Sequence, residues 1–154
     1  AGCLKTRKST SGGLVSFGGY LVKSWSKQQS SVALSSGEAE FYAMTKAAAL
    51  SLGLQSIGQD WFTDHKIKIH TDSSSAKGTA ARRGAGKLGH IETPYLWLQQ
   101  VSLRRKLTIA KISGKTNEAD LGTKILDGNS SSRILTQLRL HEPMGAHRLA
   151  LKSA

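Results

Sequence analysis

The sequence predicts one α/β domain built around a mixed β-sheet. Three features predict it: a hairpin pattern near the amino end, a strictly alternating strand at residues 66–72, and apolar helical segments between the strands. The order hairpin, helix, strand, two helices, strand and helix is typical of α/β proteins. The 154 residues, of which 38% are hydrophobic, suffice for one such domain with a core and are too few for two.

The first predicted element is a β-hairpin formed by residues 14–17 and 20–25. Gly18 and Gly19 separate these β-prone runs, and paired glycines supply the positive φ angles that a tight reversal needs. Residues 31–34 form a further short run that is a candidate third strand of the same sheet.

A long helix is predicted to begin at Ser35. Ser35 and Glu38 have the spacing of a capping box, in which the serine accepts from a free amide and the glutamate reaches back. Apolar residues from Ala39 to Trp61 then give a broad apolar face, and Gly53 and Gly58 weaken its second half.

The second half of the chain alternates strands and helices. The segment 66–72 places Ile67, Ile69 and Thr71 on one face of a strand, and a short helix follows from Ser73. A further helix is predicted near Pro94 and a last strand at 107–112.

The carboxyl-terminal part begins with a predicted helix. Asn117 is a suitable N-cap for a helix that holds Glu118, Asp120, Leu121 and Ile125. Residues 127–154 contain an amphipathic stretch and then a basic tail, so we predict a domain over 1–126 and a basic extension over 127–154.

Charge and cysteine content exclude several classes of protein. Lys and Arg number 22 against 10 Asp and Glu, and a net charge of +12 on one small domain favours a nucleic-acid partner over a membrane surface. The single cysteine, Cys3, excludes an internal disulfide framework and a multi-cysteine zinc site. Neither a membrane span nor an apolar segment of the signal-peptide type is expected.

Four of the carboxylates lie at predicted element boundaries. Glu38 and Glu40 lie in the first turn of the long helix, Asp72 ends the clearest strand, and Asp120 lies in the first turn of the last helix. Taken singly, Glu38 is better explained as a capping residue, Asp120 as a complement to the helix dipole, and Asp72 as a turn or N-cap residue. Together, at the carboxyl end of a strand and at facing helix starts, they favour a Mg²⁺ site.

Other residue patterns give weaker indications. The five histidines lack the spacing of a zinc hydrolase, and Gly84 and Gly86 lack the context of a phosphate loop. The basic residues form groups that could follow a phosphate backbone, and we expect nucleic-acid binding by Lys5, Arg7, Lys8, Arg82, Arg83, Lys87, Arg104 and Arg105.

Several motifs together resemble the ribonuclease H domain of copia-type retrotransposon polyproteins. They lie in order over about residues 1–126, at 7–12, 24–29, 32–43 (including Ser35-Ser36-Gly37-Glu38-Ala39-Glu40), 70–76, 90–91 and 117–124. The resemblance implies a five-stranded ribonuclease H-like sheet flanked by helices. It also implies cleavage of RNA in RNA–DNA hybrids with two Mg²⁺ ions, held by Glu40 (rather than Glu38), Asp72 and Asp120. His90 matches a family motif without an assigned catalytic role.

The sequence departs from the family at its first strand. In the family a catalytic aspartate precedes an Ala-Gly pair that corresponds here to Ala1-Gly2, and that strand and aspartate are absent from the 154 residues. Three explanations stay open: the chain is a fragment of a longer product, another polypeptide or segment donates the strand, or the domain has lost the nuclease and kept its basic surface.

Two functions therefore follow from the resemblance. The first is a Mg²⁺-dependent ribonuclease H-type endonuclease acting on RNA–DNA hybrid. The alternative is an inactive ribonuclease H-like module, without bound metal, that serves as a structural subunit binding structured RNA in a larger ribonucleoprotein such as an organellar ribosome. We expect a cytoplasmic or nuclear location for the first, and an organelle is open to the second.

Overall fold

A computed structural model describes residues 5–61, 63–86, 90–91 and 93–140. Its strands and helices, in chain order, are β1 (Thr10–Phe17), β2 (Tyr20–Gln28), α1 (Ser36–Asp60), β3 (Ile67–Thr71), α2 (Ser74–Ala81), α3 (Thr93–Leu103), β4 (Leu107–Lys111) and α4 (Gly128–Gln137). Two 3₁₀ helices lie between β4 and α4, Gly114–Thr116 and Glu118–Gly122, and the second is called the acidic turn below. The α/β class is confirmed.

The four strands form two separate two-stranded sheets within the described part of the chain. Strand β1 pairs antiparallel with β2, and Gly18 and Gly19 make the turn with φ angles of 59° and 81°. Strand β3 pairs parallel with β4, in register from Ile67 opposite Leu107. The predicted hairpin and both later strands are thus confirmed, whereas one continuous five-stranded sheet stays a prediction.

The segment 31–34 is not a strand, so the prediction of a third hairpin partner is wrong. The backbone N–H of Leu34 instead donates to the Glu38 carboxylate at 3.0 Å, because this segment forms the capped entry to α1. The capping box is therefore present but shifted: the Ser35 hydroxyl accepts from Glu38 N, as predicted, and Glu38 reaches back one residue further than expected.

Helix α1 is the central element of the fold. Its buried residues Phe41, Met44 and Ala48 pack in one core with Leu98 and Val101 of α3 and with the start of β4. The helix runs through Gly53 and Gly58 to Asp60 without interruption. It contacts β1 on one side and β3, α2 and α3 on the other, and it thereby connects the two sheets.

The predicted helices after Ser73 and at Pro94 are confirmed, whereas the helix capped by Asn117 is shorter than predicted. Asn117 does accept from Ala119 N, but the acidic turn ends at Gly122, a poor helix former. Ile125 is consequently fully exposed rather than part of a helical face.

Helix α4 confirms the amphipathic stretch within 127–154. Asp127 caps it, and Ile134 and Leu138 are buried. The rest of the predicted basic tail, 141–154, lies outside the described residues, and the boundary at 126/127 stays a prediction. No helix in the described ranges combines the length and apolarity that crossing a membrane requires.

Candidate metal centre

Glu40 lies one turn into α1 and faces a cavity of about 560 Å³. The cavity is also lined by the start of β1, by residues 33–36, and by Asn117, Asp120 and Lys124. By its accessible surface Glu40 is an exposed residue. The cavity walls still exclude enough water from its carboxylate to raise the pKa of Glu40, and the charges of Asp72 and Asp120 raise that pKa further, while Lys124 lowers it.

Asp72 reaches this region because the first turns of α1 and α2 lie against each other. A Cβ on Gly37 of α1 would lie only 2.5 Å from Ser75 Oγ of α2, so this contact requires glycine. Ser73, not Asp72, is the N-cap of α2, accepting from Ala76 N at 3.1 Å. The interpretation of Asp72 as an N-cap residue is therefore wrong, and its carboxylate is free to face Glu40.

Asp120 is brought to the cavity by the packing of the acidic turn on β1. A Cβ on Gly12 would lie 2.3 Å from Thr123 Cγ2, which shows how closely the segment after the acidic turn approaches the strand. Asp120 does not act only on a helix dipole, because its Oδ2 accepts a hydrogen bond from Lys124 Nζ at 2.9 Å.

Lys124 pairs directly with Asp120 and lies within the electrostatic influence of Asp72 and Glu40. The hydrogen bond to Asp120 is the largest effect that raises the pKa of Lys124; burial opposes it, and the charges of Asp120, Asp72 and Glu40 all add to it. Sequence reasoning did not assign Lys124 to the site. The signal was its position four residues after Asp120, the spacing of a helical ion pair.

The three carboxylates are of the chemical type that binds a hard divalent cation, but they do not surround an ion position. Carboxylate oxygens are the ligands that Mg²⁺ prefers, and each of these three comes from a different element. Among the residues that the structure describes, however, no three His, Cys, Asp or Glu side chains lie close enough together to hold an ion on their own. Metal binding at Glu40, Asp72 and Asp120 stays a prediction.

Glu38 does not face this cavity and instead joins three segments inside the protein. Its side chain has no exposed surface, and its two oxygens accept from Tyr42 Oη at 2.5 Å, His90 Nε2 at 2.8 Å and Leu34 N. Burial alone would raise the pKa of Glu38, but these hydrogen bonds outweigh it and hold the pKa below its ordinary range. His90 is thus a structural partner of Glu38.

The predicted nucleic-acid contacts lie in different parts of the molecule. Lys5, Arg7 and Lys8 lead directly into Ser9 and Thr10, which line the cavity. Arg104 and Arg105 are exposed in the turn before β4, so they lie at the opposite end of the parallel strands from Asp72. The length of five strand residues, about 16 Å, separates these two ends.

The basic residues after α2 have different roles. Arg82 donates to Ala85 O at 2.8 Å and packs under Gly86, so it holds its own loop, whereas Arg83 is exposed. Lys87 lies outside the described residues. Near the carboxylates sequence reasoning missed Lys111, which donates to Ser74 Oγ at the start of α2.

Comparison with known proteins identifies a relative of the chain by sequence. The retrovirus-related Pol polyprotein from transposon TNT 1-94 of Nicotiana tabacum is 32% identical to the chain over 131 residues. The chain is homologous to a segment of this transposon Pol polyprotein. The match covers 84% of the chain and 10% of the polyprotein, so the chain spans about a tenth of its relative's length.

The Pol homology supports a retrotransposon origin of the copia type for the chain. The chain matches no protein-family profile, and no solved structure matches it. The homology thus supports the general origin that the motifs indicated, and the ribonuclease H assignment is taken up below as a proposal.

Proposed function

We propose that this Pol-related domain is a ribonuclease H-type endonuclease that cleaves RNA in RNA–DNA hybrids with Mg²⁺. The observation that carries the proposal is that Glu40 and Asp120 line one cavity with Lys124, which is hydrogen-bonded to Asp120, and that Asp72 lies near enough for its charge to raise the pKa of Glu40. The three carboxylates lie 32 and 48 positions apart in sequence. Unrelated surface carboxylates would not be expected to meet.

Glu40, Asp72 and Asp120 would hold the metal. Bound divalent ions activate a water for attack on the scissile phosphate and stabilise the leaving oxygen. The protein contributes three carboxylates from separate parts of the fold, and Lys124 contributes a cation beside Asp120 that could pair with a phosphate.

Basic residues beside the cavity support a polyanionic substrate. Lys5, Arg7 and Lys8 lie next to its β1 side, and Lys111 lies by the start of α2, so both sides of the carboxylates carry cations. A hybrid duplex held there would be recognised by its backbone and A-like shape. The remaining cations, Arg83, Arg104 and Arg105, would extend the contact away from the cleavage point.

The strand pairing supports a ribonuclease H-like fold as part of this proposal. The order and directions of the strands in the two small sheets are compatible with halves of one ribonuclease H-like sheet that flanks α1.

The test is cleavage of a hybrid with labelled RNA by the chain in Mg²⁺, against duplex RNA and duplex DNA of the same sequence. Asp72→Asn and Glu40→Gln should each lower the cleavage rate by at least about 100-fold, as expected for loss of a metal-ligating carboxylate. Asp60→Asn, an exposed carboxylate at the far end of α1, is the matched control and should leave the rate unchanged. Cleavage that survives Asp72→Asn would overturn the mechanism.

A second candidate is an inactive module that binds structured RNA. The Lys124–Asp120 ion pair favours it, since a lysine already neutralises one of the proposed ligands. This candidate predicts salt-dependent RNA binding with no cleavage and no effect of Asp72→Asn on affinity beyond electrostatics.

A further inference from the structure

The outer face of the parallel sheet carries a line of basic side chains. Along β3 the buried residues Ile69 and Thr71 face the core, whereas Lys66, Lys68 and His70 are exposed. Successive residues of a strand point to opposite faces, so these three side chains share the face that is turned away from α1. They are called the basic row below.

Strand β4 brings further cations to the beginning of the basic row. Ile67 of β3 lies opposite Leu107 of β4, so Lys66 and Lys106, each one residue earlier, enter the sheet side by side. Lys106 is exposed, and so are the two arginines of the turn before it. The amino ends of β3 and β4 therefore form one concentrated positive surface.

The lysines of this surface have no carboxylate partner among the described residues. The ion pairs found there belong to α1 and to the acidic turn. Asp64, two positions before Lys66, is exposed and makes no ion pair with it. Like charges side by side on a sheet repel each other, and a bound polyanion would relieve that repulsion. The surface is thus complementary to a negatively charged ligand.

The spacing of the basic row fits the backbone of a nucleic-acid strand. Alternate residues of a strand are about 6.6 Å apart, because each residue rises about 3.3 Å in a parallel pair. Neighbouring phosphates along one nucleic-acid strand are separated by a similar distance. The two lysines and an N–H of His70 can therefore meet three successive phosphates.

The shape of the surface favours a single strand over a duplex. Two β-strands about 4.8 Å apart make a narrow face, and the basic row along it is straight. A flexible single strand can lay its phosphates along such a row, because positively charged tracks follow a backbone without reading its sequence. A double helix is stiff and its backbones wind around an axis, so a straight row meets fewer of its phosphates.

We infer that the basic row binds a single strand of nucleic acid along β3, outside the cavity that Glu40 and Asp120 line. The row ends at His70, two residues before Asp72, so the bound strand leads from the arginine turn to the candidate metal centre. The binding itself does not require the proposed nuclease, whereas the use of this track to guide a substrate strand rests on the proposed function.

The test measures binding of a fluorescent twelve-nucleotide oligouridylate to the full chain by anisotropy, in EDTA and over a range of salt concentrations. Each phosphate contact of a single strand contributes about 0.7 to the slope of log affinity against log salt. Lys66→Gln with Lys68→Gln should therefore make the slope shallower by about 1.4 and weaken binding at least about tenfold at about 0.1 M salt. Lys23→Gln with Lys27→Gln removes the same charge from exposed positions on β2, and this matched control should weaken binding less than about twofold.

Two further measurements separate this site from general attraction to a basic protein. Acetylation of lysines, read by mass spectrometry, should slow at least about threefold at Lys66, Lys68 and Lys106 when oligouridylate binds, and should change little at Lys23 and Lys27. Duplex RNA of the same length should lose less than about twofold affinity when Lys66 and Lys68 are replaced by glutamine.

Absence of oligouridylate binding, equal weakening by the two lysine pairs, or unprotected Lys66 and Lys68 would overturn the inference. An equal loss of duplex binding would contradict the preference for a single strand, and equal competition by an oligoglutamate of the same charge would make the site one for acidic peptides. Protection of the lysines without hybrid cleavage leaves this inference intact and counts against the proposed enzyme, and cleavage without protection does the reverse.

Discussion

Replacing Glu38 with glutamine isolates the contribution of a buried charge to the fold. The carboxylate has no exposed surface and accepts from Tyr42 Oη, His90 Nε2 and Leu34 N. Hydrogen bonds to a charged group contribute about 1.5–3 kcal/mol each and neutral ones about 0.5–1.5. Glutamine keeps the shape but makes these bonds neutral and turns its NH₂ toward one of the donors.

The expected loss is about 2 kcal/mol of unfolding free energy, since the lower desolvation of the neutral amide offsets part of the weaker bonding. For a chain of this size that corresponds to a melting temperature lower by about 4–8 °C. Differential scanning calorimetry at pH 7 measures it. Glu40→Gln, two residues along the same helix but at an exposed position, is the matched control and should show no decrease.

Acid should abolish the difference between wild type and Glu38→Gln. Because the folded-state pKa of Glu38 is held below its ordinary range, its stabilisation is complete above the unfolded pKa of about 4.3 and is lost as pH falls through the folded pKa. Equal melting temperatures at pH 7, or a difference that stays constant from pH 7 to pH 3, would refute the role assigned to the Glu38 carboxylate.

Three further results follow from the structure. The Glu40→Gln variant should melt at no lower temperature than wild type, because the raised pKa of Glu40 shows that the fold disfavours the ionised carboxylate when no cation is bound. The variant should also lose the rise in melting temperature that Mg²⁺ gives to wild type. An equal effect of Mg²⁺ on both proteins would contradict this reasoning. Lys124→Gln should tighten Mg²⁺ binding about two- to fivefold in a calorimetric titration, since it removes a competing cation, and weaker binding would contradict the competition. Gly13→Ala should destabilise the fold by about 1–3 kcal/mol, because its Cβ would lie 2.2 Å from the Trp25 ring. Gly53→Ala, which has open space around it in α1, should instead stabilise the fold by up to about 1 kcal/mol. Urea unfolding measures both variants, and similar unfolding free energies would contradict the packing of Trp25 against Gly13.

Local patterns in the sequence predicted the elements well, and the reason is physical. The Gly18-Gly19 turn, the Ser35 cap and the alternation at 66–72 each depend on residues close together in the chain. The predictions that failed depend on distant partners. Residues 31–34 have strand propensity, but the Glu38 side chain binds the backbone N–H of Leu34. No local pattern shows that His90, 52 residues away, also binds that carboxylate.

The candidate site likewise combines features that the local sequence predicts with features that depend on distant contacts. Its three carboxylates could be selected from the sequence because they stand at element boundaries, but their closeness depends on two contacts that require glycine. Gly37 lets α1 approach Ser75, and Gly12 lets β1 approach Thr123. A Cβ at Gly37 would press on Ser75 and one at Gly12 on Thr123, so a side chain at either position would disturb the packing that brings the carboxylates together.

The charge distribution gives a physical reason why this site would favour a bound cation. The chain has only 10 acidic residues against 22 basic ones, yet Glu40 and Asp120 line one cavity and Asp72 lies near enough to raise the pKa of Glu40. Burial first, and then the charges of Asp72 and Asp120, raise the pKa of Glu40, and Lys124 offsets only part of this from an exposed position. A divalent cation would relieve the repulsion more fully, and the displaced lysine would then face the phosphates that the cation attracts. The same charges that destabilise the free domain would thus favour metal and polyanion binding together.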